Sequence, residues 1–185
     1  MGEQHKKHNR REHLNDFHLN VAGEYVYDGA LYACQSDDAK QRRSKRAVWG
    51  MAAILTVAVA AGGCIPAPGM QNCFYVLLPY LGEFLGAASV IWALAKLGMD
   101  WSTVREYNYK KSVAVLPVRT AVTAVFSLLG IVCELIFFFV NDHAGQTFFA
   151  LLYVLLKLIA LLSVLVLRAE IMQAEWDKLP KKNNF

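Results

Sequence analysis

The chain has 185 residues, of which 56% are hydrophobic, and a formal net charge of +4. The length suits one domain, and the apolar content exceeds that of most soluble domains of this size. The positive charge is grouped beside apolar stretches, which explains it without a nucleic-acid partner. The sequence contains no metal-ligand spacing, serine elbow, phosphate-binding glycine loop or paired catalytic carboxylates, so we expect no catalytic residues, metal or cofactor.

The first segment is polar and basic. Residues 1–16 are rich in His, Lys and Arg and lack apolar periodicity, which predicts a mobile tail. Residues 17–46 form a pre-membrane segment whose aromatic residues alternate with polar ones before Asp28-Gly29, a pattern typical of a short extended or hairpin element. Three tyrosines of this segment are candidates for docking a partner: Tyr25, Tyr27 and Tyr32. The alternative is that these rings pack on the chain's own helices.

A basic run closes this segment. Its five cations are Lys40, Arg42, Arg43, Lys45 and Arg46. Each cation beside a membrane gains about 1 kcal/mol from anionic lipids, so the run predicts contact with lipid headgroups.

Four apolar stretches follow, at 47–65, 73–97, 118–140 and 147–167. Each is close to the ~20 residues that a helix needs to cross a bilayer. Their apolar character is continuous and does not alternate, which favours helices over the strands of a barrel. We therefore predict an all-α membrane protein, a four-transmembrane-helix bundle over 47–168, with a cytoplasmic helix extension and tail over 169–185.

The basic residues predict the orientation. Nine Lys and Arg precede Trp49, five lie from Lys96 to Arg119, four lie from Arg168 onward, and Lys157 alone lies within a span. The connections at 65–72 and 141–146 carry none. The positive-inside rule then predicts a multi-pass protein of the cell membrane with both termini in the cytoplasm.

Two cysteines, Cys64 and Cys73, flank the first connection on the opposite side. Only eight residues separate them. In an oxidising compartment, a loop of this size allows a disulfide, which we predict here. The alternative is two unrelated small residues at helix ends.

Three ionisable side chains lie within the spans: Glu83, Glu134 and Lys157. At ~1.5 Å per residue, Glu83 and Lys157 both lie roughly 15 Å from the outer surface and Glu134 roughly 9 Å. Equal depth predicts an ion pair between Glu83 and Lys157. Buried charges of this kind hold helices together, face a partner subunit, or form a proton- or solute-coupled site, and the sequence leaves all three open.

These features favour a non-enzymatic multi-pass subunit, acting as an accessory, scaffold or regulator of a larger membrane assembly. The alternative is a small oligomeric proton- or solute-coupled transporter that uses Glu83, Glu134 and Lys157. The expected partners are a bilayer with anionic headgroups and either further copies of the chain or another membrane protein.

Overall fold

A computed structural model describes residues 17–19, 23, 25–27, 29–98, 101–141 and 147–179. The helices are α1 Asp38–Cys64, α2 Pro68–Asn72, α3 Phe74–Leu97, α4 Glu106–Lys111, α5 Leu116–Val140 and α6 Thr147–Gln173. The strands are β1 Phe17–Leu19, β2 Tyr25–Tyr27, β3 Leu31–Cys34, β4 Val104–Arg105 and β5 Trp176–Lys178. Four helical segments are long and apolar enough to cross a membrane, which confirms the predicted multi-pass helical membrane protein. The predicted tail, 1–16, lies outside the described residues.

The four long helices form a closed bundle. Helix α1 packs along α6, α6 along α5 and α5 along α3, while α3 also contacts α1. Small residues allow the close approach of α3 and α5, because a Cβ atom added at Gly86 would lie 2.6 Å from Thr123 Oγ1. The neighbouring Gly82 faces Phe126 in the same way. The two-glycine motif of α3 is therefore used within the chain.

The outer surface of the bundle is apolar, as a helix surface in lipid requires. Its exposed side chains include Phe74, Leu85, Trp92, Phe139, Phe148 and Leu151. The interior is filled by buried aliphatic residues, among them Leu55, Val90, Leu94, Leu116 and Leu167.

A small sheet covers one end of the bundle. We call this the basic end, which holds the start of α1, residues 101–115 and the end of α6; the opposite end, which holds residues 65–73, is the distal end. Strand β3 lies between β4 and β5 and is antiparallel to both. Trp101 packs beneath this sheet beside Trp176, with ring centroids 5.7 Å apart, and only 2% of Trp101 is exposed.

The chain beyond residue 169 differs from the prediction of a long helical extension. Helix α6 ends at Gln173, and the chain then turns into β5, where Trp176 pairs with Cys34 and Lys178 with Tyr32. The backbone N–H of Leu179 donates to the carbonyl of Leu31 at 2.8 Å. The extended form prevails because β3 offers a row of backbone partners that a solvated helix end lacks.

The connection at the distal end folds onto the bundle as α2. Pro68 begins this short helix, where its missing N–H costs nothing, and both Pro68 and Gly69 are buried. Helix α2 contacts α3, α5 and α6. The predicted disulfide is wrong, since Cys64 and Cys73 are both free thiols. The packing of α2, and not a covalent bond, holds the connection in place.

Candidate functional site

The three ionisable side chains of the spans all lie inside the bundle. Exposure is 0% for Glu83 on α3, 0% for Glu134 on α5 and 2% for Lys157 on α6. None of the three side chains is therefore exposed on the outer surface of the bundle. We call these three residues, together with Tyr80, Ser127 and Tyr153, the polar core.

The structure brings Glu83 and Lys157 together. The Lys157 ammonium donates a hydrogen bond to Glu83 Oε2, and the two form an ion pair. The Ser127 hydroxyl of α5 lies 2.8 Å from Glu83 Oε1 and 3.3 Å from the carbonyl oxygen of Lys157. This cluster therefore joins three helices, and each charge of the ion pair has a hydrogen-bonding partner.

Two aromatic rings add to the stabilisation of Lys157. Its Nζ atom lies 4.6 Å from the centroid of the Tyr80 ring and 5.1 Å from that of the Tyr153 ring. A cation over a ring face gains up to about 2 kcal/mol when both are desolvated. The stem of the side chain lies beside Gly130, where an added Cβ atom would make an ordinary contact, 3.6 Å from Lys157 Cε.

Glu134 occupies a different position, close to the distal end. It lies on the same face of α5 as Ser127, about two turns further along the helix. Its carboxylate contacts the backbone of Gly69 in α2, where an added Cβ atom would collide with Oε2. Within the described residues, no side chain donates a hydrogen bond to the Glu134 carboxylate, whose polar neighbour is the backbone of Gly69, and the Tyr153 hydroxyl has no hydrogen-bonding partner. Glu134 is thus separate from the ion pair and covered by α2.

The five cations predicted to contact lipid lie on the first turns of α1, at the basic end. Four of them are exposed: Lys40, Arg42, Arg43 and Arg46. Lys45 is half-buried, and its Nζ atom lies 5.9 Å from the centroid of the Trp101 ring. The cations therefore surround the helix rather than forming one stripe.

The structure does not bring the three tyrosines together as one docking strip. Tyr25 is 77% exposed. The Tyr27 hydroxyl donates to the carbonyl of Ala30 at 3.3 Å. Tyr32 is stacked on Tyr109, with ring centroids 4.2 Å apart. Tyr32 thus packs on a helix of the chain itself, α4, as the alternative considered above predicts, whereas Tyr27 contacts the pre-membrane segment.

Sequence reasoning did not identify two contacts of the polar core. Tyr80 lies one turn before Glu83 on α3, so helical spacing indicates that the two side chains share a face. Gly69 lies in a connection rich in Pro and Gly, where no local pattern indicates a contact with Glu134. Among the residues that the structure describes, no three His, Cys, Asp or Glu side chains are grouped as a metal site requires.

No family model, curated protein or solved structure matches the chain.

Proposed function

We propose that the chain is a non-enzymatic multi-pass subunit, an accessory, scaffold or regulator within a larger membrane assembly. The observation that supports this most directly is the closed ion pair of the polar core. Glu83 and Lys157 are 0% and 2% exposed and satisfy one another inside the bundle. A carrier has to expose its coupling groups to one side and then the other. Charges engaged in joining three helices suit a rigid structural role.

The finer features of this proposal concern orientation and partners. The chain resides in the cell membrane with both termini in the cytoplasm. Its basic end faces anionic lipid headgroups. Residues 17–46 form a cytoplasmic segment that includes the hairpin β1–β2, with Tyr25 available to a partner. The apolar outer surface contacts lipid and either further copies of the chain or another membrane protein.

Orientation is tested by labelling single cysteines in a variant without the four native ones. Gln71 at the distal end and Thr103 at the basic end are both exposed. A membrane-impermeant maleimide added to intact cells should label Gln71→Cys and spare Thr103→Cys until the cells are permeabilised. Labelling of Thr103→Cys in intact cells would reverse the orientation.

The subunit role is tested by photo-crosslinking from the outer surface. A photoreactive amino acid is placed in turn at exposed positions on three helices: Leu85, Phe139 and Leu151. In native membranes, a partner subunit should form a crosslinked protein adduct with the positions on one helix face, and the mass of that adduct should be constant. The same variants purified and reconstituted alone should give lipid adducts only if the partner is another membrane protein, and an adduct of twice the chain's mass if the partner is a further copy of the chain. Lipid adducts from every position in native membranes would contradict the proposal.

A second candidate, a small oligomeric proton- or solute-coupled transporter, is favoured by the unpaired groups of the polar core. Glu134 and Tyr153 are fully buried, and within the described residues Glu134 has no ion-pair partner and the Tyr153 hydroxyl no hydrogen-bonding partner. The purified chain in liposomes should then carry a proton flux that Glu134→Gln abolishes. Ser163→Ala is the matched control, because the Ser163 hydroxyl is buried but bonds only within its own helix. No flux from the wild-type chain in liposomes would exclude this candidate.

A further inference from the structure

A cleft at the basic end lies between the sheet and the ends of two membrane-spanning helices. Its volume is about 280 Å³. The residues that line it come from β3 and the following turn, the first turns of α1, Trp101 and the end of α6. Those that the argument uses are Ser36, Lys40, Arg43, Ser44, Trp101 and Glu170. The volume is at the small end for ligand pockets, which suits a polar headgroup rather than a whole lipid molecule.

The position of the cleft coincides with the headgroup layer. The first fully buried apolar residue of α1 is Val48, and Ser44 precedes it by one turn, ~6 Å along the axis. On α6, Glu170 lies three residues, ~4.5 Å along the axis, beyond Leu167, which is the last residue before the charge of Arg168. The polar layer on each side of a bilayer core is about 5–8 Å thick, so Ser44 and Glu170 both lie within it.

The charges of the cleft favour an anion. Lys40 and Arg43 line it and form no ion pair within the described residues. The single carboxylate of the lining, Glu170, accepts a hydrogen bond from the Ser44 hydroxyl at 2.9 Å. Lys45 contributes a third cation close by, over the ring of Trp101. Arg and Lys together are the usual ligands of phosphate oxygens in proteins.

Trp101, which lines the cleft, has a donor without an acceptor among the described residues. Trp101 is 2% exposed, and its indole N–H has no hydrogen-bonding partner within the described residues. An unsatisfied buried N–H destabilises the protein, and an indole can only donate, so an oxygen acceptor that reached this N–H would stabilise the site. The long side chain of Lys45 lies over the same ring and can move to admit one.

We propose that this cleft binds the phosphate of an anionic phospholipid headgroup. Lys40 and Arg43 contact the phosphate oxygens, and the Trp101 N–H donates to one oxygen when the surrounding side chains adjust. The Glu170 carboxylate lies in the same cleft and repels the anion. This repulsion limits the negative charge of the headgroup that the cleft can bind. The proposal applies equally to a subunit and to a transporter, and it goes beyond general attraction because it places the lipid at one side of α1.

The test measures lipid retention by the full chain purified in mild detergent. Native mass spectrometry compares phosphatidylglycerol with zwitterionic phosphatidylcholine, and inorganic phosphate is added as a soluble competitor. Lys40→Gln with Arg43→Gln should weaken phosphatidylglycerol binding about tenfold, since charge-assisted hydrogen bonds are lost. The matched control is Arg42→Gln with Arg46→Gln, which removes the same charge from exposed residues that do not line the cleft. It should change binding less than about twofold.

Two single variants separate the site from an effect on folding. Glu170→Gln should strengthen phosphatidylglycerol binding about threefold because it removes a negative charge beside the phosphate, and a damaged fold would not produce a gain. Trp101→Phe should weaken it about fivefold because the ring stays and the N–H is lost. An unchanged affinity in Trp101→Phe would overturn the role of the indole.

Three further outcomes overturn the proposal itself. Equal losses in the two double variants would show that the attraction is general. Equal retention of phosphatidylglycerol and phosphatidylcholine would show that the phosphate of an anionic lipid is not selected. Displacement of phosphatidylglycerol by millimolar inorganic phosphate would assign the cleft to a soluble anion.

Discussion

Removing either charge of the Glu83–Lys157 pair should destabilise the chain, and removing both should restore most of the stability. The pair lies ~15 Å from the distal end of the spans, near the middle of a hydrocarbon core about 30 Å thick. At this depth a lysine stem is too short to carry its charge to either surface. Loss of one partner costs about 3–5 kcal/mol in soluble proteins, and water defects in a bilayer relieve part of that cost. We expect a loss of about 2–4 kcal/mol for Lys157→Gln.

The two single variants should differ, because the residue left behind has different neighbours. In Lys157→Gln, Glu83 keeps the Ser127 hydroxyl at 2.8 Å and loses its only ion-pair partner within the described residues. In Glu83→Gln, Lys157 keeps two ring faces, those of Tyr80 and Tyr153. These rings retain about 1–2 kcal/mol for the cation, so Glu83→Gln should be the milder variant by about that amount.

The assay is equilibrium unfolding in mixed micelles, with circular dichroism followed as sodium dodecyl sulfate replaces a mild detergent. The double variant should lie within about 1 kcal/mol of the wild type, giving a coupling energy of at least about 2 kcal/mol. Arg42→Gln is the control, since it removes a charge from an exposed position on α1 and should change stability by less than about 0.5 kcal/mol. A double variant as unstable as the sum of the single ones would refute the pairing.

Three further results are expected from the same unfolding assay and from thiol chemistry. Gly69→Ala should lower stability by about 1–3 kcal/mol because its Cβ atom meets the Glu134 carboxylate, whereas Gly50→Ala, with open space around it, should not; equal effects would contradict the docking of α2. Tyr32→Ala should lose at least about 0.5–1.5 kcal/mol through its stack on Tyr109, and an effect below that range would argue against the aromatic contact. The exposed thiol of Cys64 should react with an alkylating reagent without prior reduction, and a peptide that links it to another cysteine would contradict the free thiol.

The membrane-spanning part of the fold was predictable because hydrophobic length is a local property. The apolar stretches 73–97 and 118–140 coincide with α3 and α5 to within two residues. The start of α1 was placed nine residues too late, at 47 rather than Asp38, since apolar length marks only the part of a helix that lies in hydrocarbon. The polar residues before it, mostly Lys, Arg and Gln, are themselves good helix formers.

The sheet at the basic end was not predictable in the same way. Strand β3 is paired with strands from the middle and the end of the chain, and β4 has only two residues. No local pattern specifies partners so distant in sequence, and a two-residue strand is too short to show alternation. The buried position of Trp101 follows from this sheet, so no local pattern around residue 101 indicates it.

The ion pair was predictable from the sequence because the depth of a residue in the bilayer can be counted in the same way for every membrane-spanning helix. Counting residues from the same surface placed Glu83 and Lys157 at one level before any packing was known. The same count placed Glu134 nearer the surface, but it carried no information about the connection that covers it. The disulfide prediction failed for the related reason that short spacing permits a bond without requiring one, and α2 occupies the connection between the two cysteines.

The order in which β3, β4 and β5 emerge from the ribosome has a consequence for biosynthesis. The central strand is made before the first span, one neighbour is made between the second and third spans, and the other follows the fourth. One edge of the central strand therefore lacks its backbone hydrogen-bonding partners until translation has passed Lys178. A nascent chain stalled earlier, or a fusion that interrupts Trp176–Lys178, presents that edge and the indole beneath it to chaperones and proteases. The sheet can therefore be completed only after all four spans have been synthesised.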